Sequence, residues 1–200
     1  MVLSNYSYRI INVKLIGIGG TNGSGKDTVS TLLAEKYGWL FISGSRDFLI
    51  PELKKRGLAL ERENMRALSA EWRRRHGLGV VIDKAVERSD PKKHQGLVIS
   101  SLRNFGEADR VHELGGKVVW TDGDPKIRYQ RIYGRGQGDK DQKTFEQFLA
   151  EEKAEMQHSD NDAATLNWAG VKDRADIFIT NDDNDIEKFK ARAEKALGLS

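Results

Sequence analysis

Two hundred residues carry 33 lysines and arginines against 30 aspartates and glutamates, a net charge of +3, with 38% hydrophobic residues and 20 glycines. That composition is globular and the chain is long enough to bury a core of its own, which excludes collagen-like and wholly disordered classes. The lack of cysteine excludes disulfide scaffolds, thiolate zinc sites, iron–sulfur clusters and cysteine nucleophiles.

The apolar, branched run Ile11 to Ile18 predicts a central parallel strand buried on both faces. Asn12 and Lys14 break the wider run, which is too short for a membrane span of ~20 residues. It also lacks the pattern of a signal peptide, so a cytoplasmic protein with no membrane partner is expected. A glycine-rich loop and then Val29, Leu32, Leu33 and Tyr37 at helical spacing follow. Trp39 to Ser43 reads as a second strand, and residues 46–88 as helical, with Met65, Leu68 and Trp72 on one face. That stretch exceeds a simple crossover and reads as an insertion. Leu97 to Ser101 is a third strand, and Glu107 to Leu114 a short helix stopped by Gly115-Gly116. Lys117 to Thr121 is a fourth strand, and Asp124-Pro125 opens a helix to about Tyr133. Gly134 to Asp141 reads as a loop, Thr144 to Gln157 as a helix, Asp176 to Thr180 as a fifth strand, and Ile186, Phe189, Ala193 and Leu197 as a closing helix. Five strands alternating with helices predict an α/β fold, a parallel sheet covered on both faces.

The loop after the first strand reads Gly20-Thr21-Asn22-Gly23-Ser24-Gly25-Lys26-Asp27-Thr28. This is the P-loop spacing, between a strand and a helix as the motif requires. Glycines let backbone N–H groups close on phosphate oxygens, and the following helix turns its positive end toward the anion. Lys26 places a charge on the outer phosphates, and Thr28 hydrogen-bonds one of them. The motif departs at Asp27, where a Ser or Thr normally ligates magnesium. Asp27 is either the metal ligand itself or the sign of a different metal arrangement. The third strand ends Val98-Ile99-Ser100-Ser101, without the carboxylate many P-loop proteins place there. Asp27 is expected to make good that missing charge.

Arg128, Arg131 and Arg135 fall along one helix side leading into the Gly134 loop. Beside a P-loop, they are expected to close over the transferring phosphoryl group as a lid. Arg103 and Asn104 follow the third strand, where ligands of open parallel sheets bind, so Arg103 is a candidate for an acceptor phosphate. Ser43, Ser45, Arg46 and Asp47 follow the second strand for the same reason. Asp47 either orients or deprotonates the acceptor or simply favours a helix N-terminus. Arg62 and Arg66 are further candidates on the acceptor side. Arg73 to Arg75 read as solvated surface, the four histidines show no metal spacing, and the four tryptophans read as packing.

The loop sequence resembles the P-loop of small-molecule and nucleoside monophosphate kinases. Its Gly-Lys-Asp-Thr ending is similar to phage-type deoxynucleoside monophosphate kinases, and the layout to the adenylate kinase and dephospho-coenzyme A kinase group. Ser101-Leu102-Arg103-Asn104, with Gly106-Glu107, resembles a segment of microbial kinase-like proteins that usually carry Asp where Ser100 stands. Ile179-Thr180-Asn181 is similar to the end of their last strand, near the nucleotide base.

The resemblance implies a P-loop NTPase three-layer sandwich with strand order 2-3-1-4-5. It implies one kinase domain over 1–200, a helical acceptor-binding insertion at 46–88 and a lid at 126–158. Gly20, Asn22, Gly23, Ser24, Gly25, Lys26, Asp27, Thr28 and Asn181 would bind ATP with Mg²⁺. Lys26, Asp47, Arg128, Arg131 and Arg135 would serve catalysis. Ser43, Arg46, Asp47, Arg66 and Arg103 would face the acceptor, with Asp27 on the metal. The expected activity passes the γ-phosphoryl of ATP to a nucleoside or deoxynucleoside monophosphate. Transfer to a hydroxyl, as in dephospho-coenzyme A kinase, is the alternative within enzymes. From other classes come a nucleotide-dependent regulator, against which the absence of an Asn-Lys-x-Asp guanine-reading segment from this sequence counts, and a nucleic-acid-dependent ATPase, encouraged by a pI near 9.0. The expected partners are therefore a nucleotide and a small phosphorylated acceptor, not nucleic acid, for a monomer or homodimer.

Overall fold

The computed structural model describes residues 14–134, 143–156 and 162–199. Five strands form one sheet: β1 (Lys14–Gly20), β2 (Leu40–Ser43), β3 (Gly96–Ser100), β4 (Lys117–Asp122) and β5 (Ile177–Thr180). Their order is β2-β3-β1-β4-β5 and every pairing is parallel. The expected order and class therefore hold. Ile11 to Val13 of the predicted first strand and the 135–141 part of the predicted loop lie outside the described residues.

Successive side chains of β1 point to opposite faces, and the core divides accordingly. Leu15 packs with Leu97, Ile99, Val118 and Trp120 on one face, and Ile16 and Ile18 with Val98, Val119 and Ile179 on the other. The second face is covered by α1 (Lys26–Tyr37), through Val29, Leu32 and Leu33, and by the last helix, α9 (Ile186–Ala196), through Phe189 and Ala193. The first face is covered by the elements between β2 and β3 and by α5 (Phe105–Glu113). All four tryptophans are buried, as their reading as packing residues requires.

The stretch expected to be helical over 46–88 is broken into pieces. A π-helical turn (Ser45–Leu49) runs into α2 (Ile50–Lys55), and α3 (Arg62–His76) and α4 (Val80–Arg88) follow. Gly57 and Gly77, both at positive φ, stop α2 and α3. Leu68 and Trp72 lie on the buried side of α3, with Met65 partly buried against them. After β4 come α6 (Pro125–Tyr133), capped by the Asp124 carboxylate, and α7 (Phe145–Met156). A short helix, α8 (Trp168–Lys172), precedes β5 and had no clear periodic signal. No helix among the described residues is long and apolar enough to cross a membrane.

Candidate functional site

The loop Gly20–Gly25 leaves the carboxyl end of the central strand and enters α1. Gly20, Gly23 and Gly25 all have φ in the left-handed region, at 146°, 77° and 96°. A side chain there would be strained, and at Gly25 a Cβ would also lie 2.7 Å from both Asn181 Nδ2 and a Phe189 ring carbon. The loop is tied down from within and from outside. Ser24 Oγ donates to Thr21 O at 2.8 Å, Asn181 Nδ2 donates to Ser24 O at 3.0 Å, and Thr21 Oγ1 donates to Asp122 at 2.7 Å. Its amides are thus held in place before any ligand arrives.

Lys26 is buried, and its ammonium donates to Gly20 O at 3.0 Å and Thr21 O at 2.5 Å. Burial pulls its pKa down to about 7; Arg103 adds to that pull and Asp27 opposes it. The loop borders a cavity of about 420 Å³, also lined by Asp27, Thr28, Arg103, Arg131 and Asn181. A second cavity, about 170 Å³, lies under α3 and is lined by Leu49, Met65, Arg62, Arg66, Arg73 and Glu155 among others. Asn22, Ser101 and Arg103 line both, so the two spaces meet there.

Arg103 is the cation at that junction. Its guanidinium lies 4.3 Å over the Trp168 ring and makes no hydrogen bond or ion pair with a described residue. Loss of hydration holds its pKa below the ordinary arginine value. Its backbone is clamped. The Glu107 carboxylate accepts from Arg103 N at 2.7 Å and Asn104 N at 3.2 Å, and Asn167 N donates to Arg103 O at 2.8 Å. Arg73 holds Glu107 in turn, with Nη2 at 2.7 Å and both side chains almost wholly buried. Arg73 is therefore interior, where the sequence suggested surface; Arg74 and Arg75 are exposed as expected. The Asn104–Glu107 capping box was readable as Asn followed three residues on by Glu. Its pairing with Arg73, 34 residues away, was not. Nothing in the sequence marked Trp168 as the platform under Arg103.

The remaining expected residues divide. Arg131 lines the larger cavity, donating to Gly23 O at 3.3 Å and Asn181 O at 3.0 Å and also to Asp183 O. Arg128 lines neither cavity. It is buried against Gly123 O at 2.8 Å, Asn22 O at 3.2 Å and both oxygens of Glu152, so it fastens the loop to α7 instead of facing phosphate. Arg135 lies outside the described residues. Arg66 lines the smaller cavity, paired with Glu155. Ser43, Arg46 and Asp47 line neither. The Asp47 carboxylate accepts Ser43 N–H at 2.7 Å, and Arg46 is exposed and stacked on Phe41. The local turn consumes these groups.

Asp27 is exposed toward the larger cavity and receives the Ser100 hydroxyl at 2.6 Å. Magnesium takes oxygen donors and draws its other ligands from water and phosphate. Asp27, Thr28 and Ser100 supply such donors, while no group of three or more His, Asp or Glu among the described residues could hold a metal alone. The residues fit a cation that arrives with a phosphate.

Residues 16–158 match the family described as an AAA domain. A UPF0200 protein of Sulfurisphaera tokodaii is 30% identical over 186 residues, covering 92% of this chain and 96% of that protein. One from Saccharolobus islandicus is 29% identical over 195 residues, covering 94% and 95%. Shikimate kinase from Bacteroides thetaiotaomicron superposes with a TM-score of 0.60 at 18% identity, covering 93% of this chain and 99% of that one. Shikimate kinase from Acinetobacter baumannii, solved with shikimate, gives 0.54 at 18% identity over 94% and 93%. At that identity the likeness is one of fold, the fold of P-loop kinases.

Proposed function

The chain belongs to the AAA domain family and to the UPF0200 proteins, and from that premise we propose that it is an ATP-dependent phosphotransferase acting on a small phosphorylated acceptor. The acceptor class we favour is a nucleoside or deoxynucleoside monophosphate. The observation that carries this reading is Arg103, whose guanidinium has no hydrogen bond or ion pair among the described residues and lies at the meeting of the loop cavity and a second, arginine-lined cavity.

The larger cavity takes the donor. Gly20 to Thr28 hold the phosphates, and Asn181, Phe189 and Ile186 border the space left for the base. The charged form of Lys26, disfavoured by burial, is favoured again by phosphate anions at the same spot. Bound magnesium would neutralise charge on the transferring group, with Asp27 as its carboxylate ligand. The smaller cavity takes the acceptor. Leu49, Met65 and Val81 offer an apolar wall, and Arg62 and Arg66 offer charge. The 46–88 helices are on this reading the acceptor-binding insertion, and Arg131, with the 126–158 segment, the lid side. Arg103 then faces the phosphoryl group between the two substrates, where charge develops in transfer. A phosphate acceptor is already ionised, so no base is needed. That agrees with an Asp47 carboxylate engaged elsewhere.

The test is ADP formation from ATP–Mg²⁺ against a panel of ribo- and deoxyribonucleoside monophosphates. Dephospho-coenzyme A, shikimate and gluconate serve as hydroxyl acceptors. Stimulation by one or a few monophosphates is expected. Stimulation by the hydroxyl acceptors alone overturns the acceptor class, and no stimulation with ATP still bound overturns the phosphotransferase reading.

A further inference from the structure

Two departures from the P-loop pattern occur in this chain, and they face each other. The position after the loop lysine ordinarily carries a hydroxyl, and the end of the neighbouring strand a carboxylate; together they hold magnesium. Here Asp27 stands on the loop side and Ser100 on the strand side. They are 73 residues apart in sequence, yet Ser100 Oγ donates to Asp27 Oδ1 at 2.6 Å. The same two groups meet with their chemistry reversed. We propose that Asp27 and Ser100 form one magnesium-holding unit in which carboxylate and hydroxyl have exchanged places between loop and strand. The inference rests on the magnesium-nucleotide reading above and deepens it by adding Ser100.

Charge supports the exchange. Among the described residues Asp27 makes no ion pair, and Ser100 is the only side chain hydrogen-bonded to it. It sits at the mouth of a cavity whose loop is built for polyphosphate. Two anions side by side repel, and a cation between them removes that cost. Lys26 does not serve, because its ammonium is turned to Gly20 O and Thr21 O. The strand end is also shaped unusually. Ser101 is the single non-glycine residue with positive φ among the described residues, at 70°, and it lines both cavities. Its hydroxyl lies 3.4 Å from that of Ser100. A serine held in the left-handed region is strained. It marks a strand end held to a required shape, with Ser100 paired in register between β1 and β2.

The test measures ADP affinity by titration calorimetry, with Mg²⁺ and with a chelator, for five proteins: native, Asp27→Ser, Asp27→Asn, Ser100→Asp and the double Asp27→Ser/Ser100→Asp. The readout is the gain in affinity that magnesium brings. Asp27→Asn keeps an oxygen for the Ser100 hydroxyl, so it tests charge without disturbing the fold, and thermal unfolding checks all five. Both Asp27 variants are expected to lower the magnesium gain by about 10- to 100-fold. Ser100→Asp alone sets two carboxylates in contact and is expected to weaken metal-free binding of ADP. The double variant is expected to return the gain to within about threefold of native, a rescue that independent sites would not show. A double variant no better than Asp27→Ser overturns the exchange and leaves the contact as a tether between helix and strand. A native protein that binds ADP equally with and without magnesium also overturns it, while the nucleotide reading stands. Failure of the native protein to bind ADP at all ends both.

Discussion

The two cavities that meet at Arg103 are built by different means. The larger rests on backbone: three left-handed glycines, loop amides and a helix N-terminus, all within nine consecutive residues. The smaller rests on side chains from distant elements, Arg66 and Arg73 of α3, Glu107 of α5 and Glu155 of α7. A backbone-built site can be read from a short motif. A side-chain-built site depends on which helix faces are packed together, and here one buried ion pair, Arg73–Glu107, does the holding. The two should therefore fail differently when mutated, one in ligand binding and the other in folding.

The largest effect is expected at Glu107. Its carboxylate answers Arg73, Arg103 N and Asn104 N in a nearly dry place. Removing it in Glu107→Ala strands a buried guanidinium, and breaking such a pair costs about 3–5 kcal/mol. Denaturant unfolding should show that loss. The double Arg73→Leu/Glu107→Leu should recover the part owed to the stranded charge, since two apolar groups leave none behind, but not the part owed to Arg103 N and Asn104 N, which lose their acceptor either way. If the double is as unstable as the single, the pair is not what holds α3 to α5.

Lys26→Met should do the opposite. Nucleotide-dependent turnover is expected to fall about 100-fold or more, measured as ADP formation. The unfolding midpoint should hold or rise, because a desolvated ammonium has been removed. A protein that loses stability and keeps turnover would erase the contrast between the two cavities.

Arg103 and Arg128 refine the contrast within one residue type. Arg103→Gln is expected to cut acceptor-stimulated turnover by about 100-fold with stability nearly unchanged, since its guanidinium has no protein hydrogen bond among the described residues. Arg128→Gln removes the bonds to Gly123 O and the Glu152 carboxylate. It should cost stability first, by about 3 kcal/mol, and turnover only through the loosened loop. Unfolding and turnover measured side by side separate the two arginines.

That pair also shows what was legible. The strands, the loop and the placing of Lys26 and Arg103 follow from local rules: a strand, then glycines, then a cation at a strand's carboxyl end; the order β2-β3-β1-β4-β5 does not, and rests on the family resemblance. Helical spacing put Arg128 and Arg131 on one side of α6 but could not tell which would be covered. That depended on α7 bringing Glu152 to one of them, a contact 24 residues away. Arg73 turns inward for the same reason, where its sequence context suggests surface. Three consecutive arginines look solvated until the helix face is known, and Glu107 across the core decides which turns inward. The position of Asp47 after β2 fits both an acceptor role and a helix-terminus role, so sequence alone does not choose between them.

Asp47 gives the smallest expected effect. Were it the proton acceptor for a hydroxyl substrate, Asp47→Asn would lower kcat steeply and leave KM alone. The structure sets its carboxylate on Ser43 N–H at 2.7 Å, with Arg46 3.7 Å away, inside the turn that links β2 to α2. An asparagine oxygen can accept the same N–H. What it loses is the charge, and a half-exposed pair of this kind contributes about 0.2–1 kcal/mol. Asp47→Asn should therefore lower stability by no more than that and leave turnover within about twofold for every acceptor. A steep loss of kcat confined to hydroxyl acceptors would move the chemistry to the β2 turn, and would take the acceptor out of the cavity under α3.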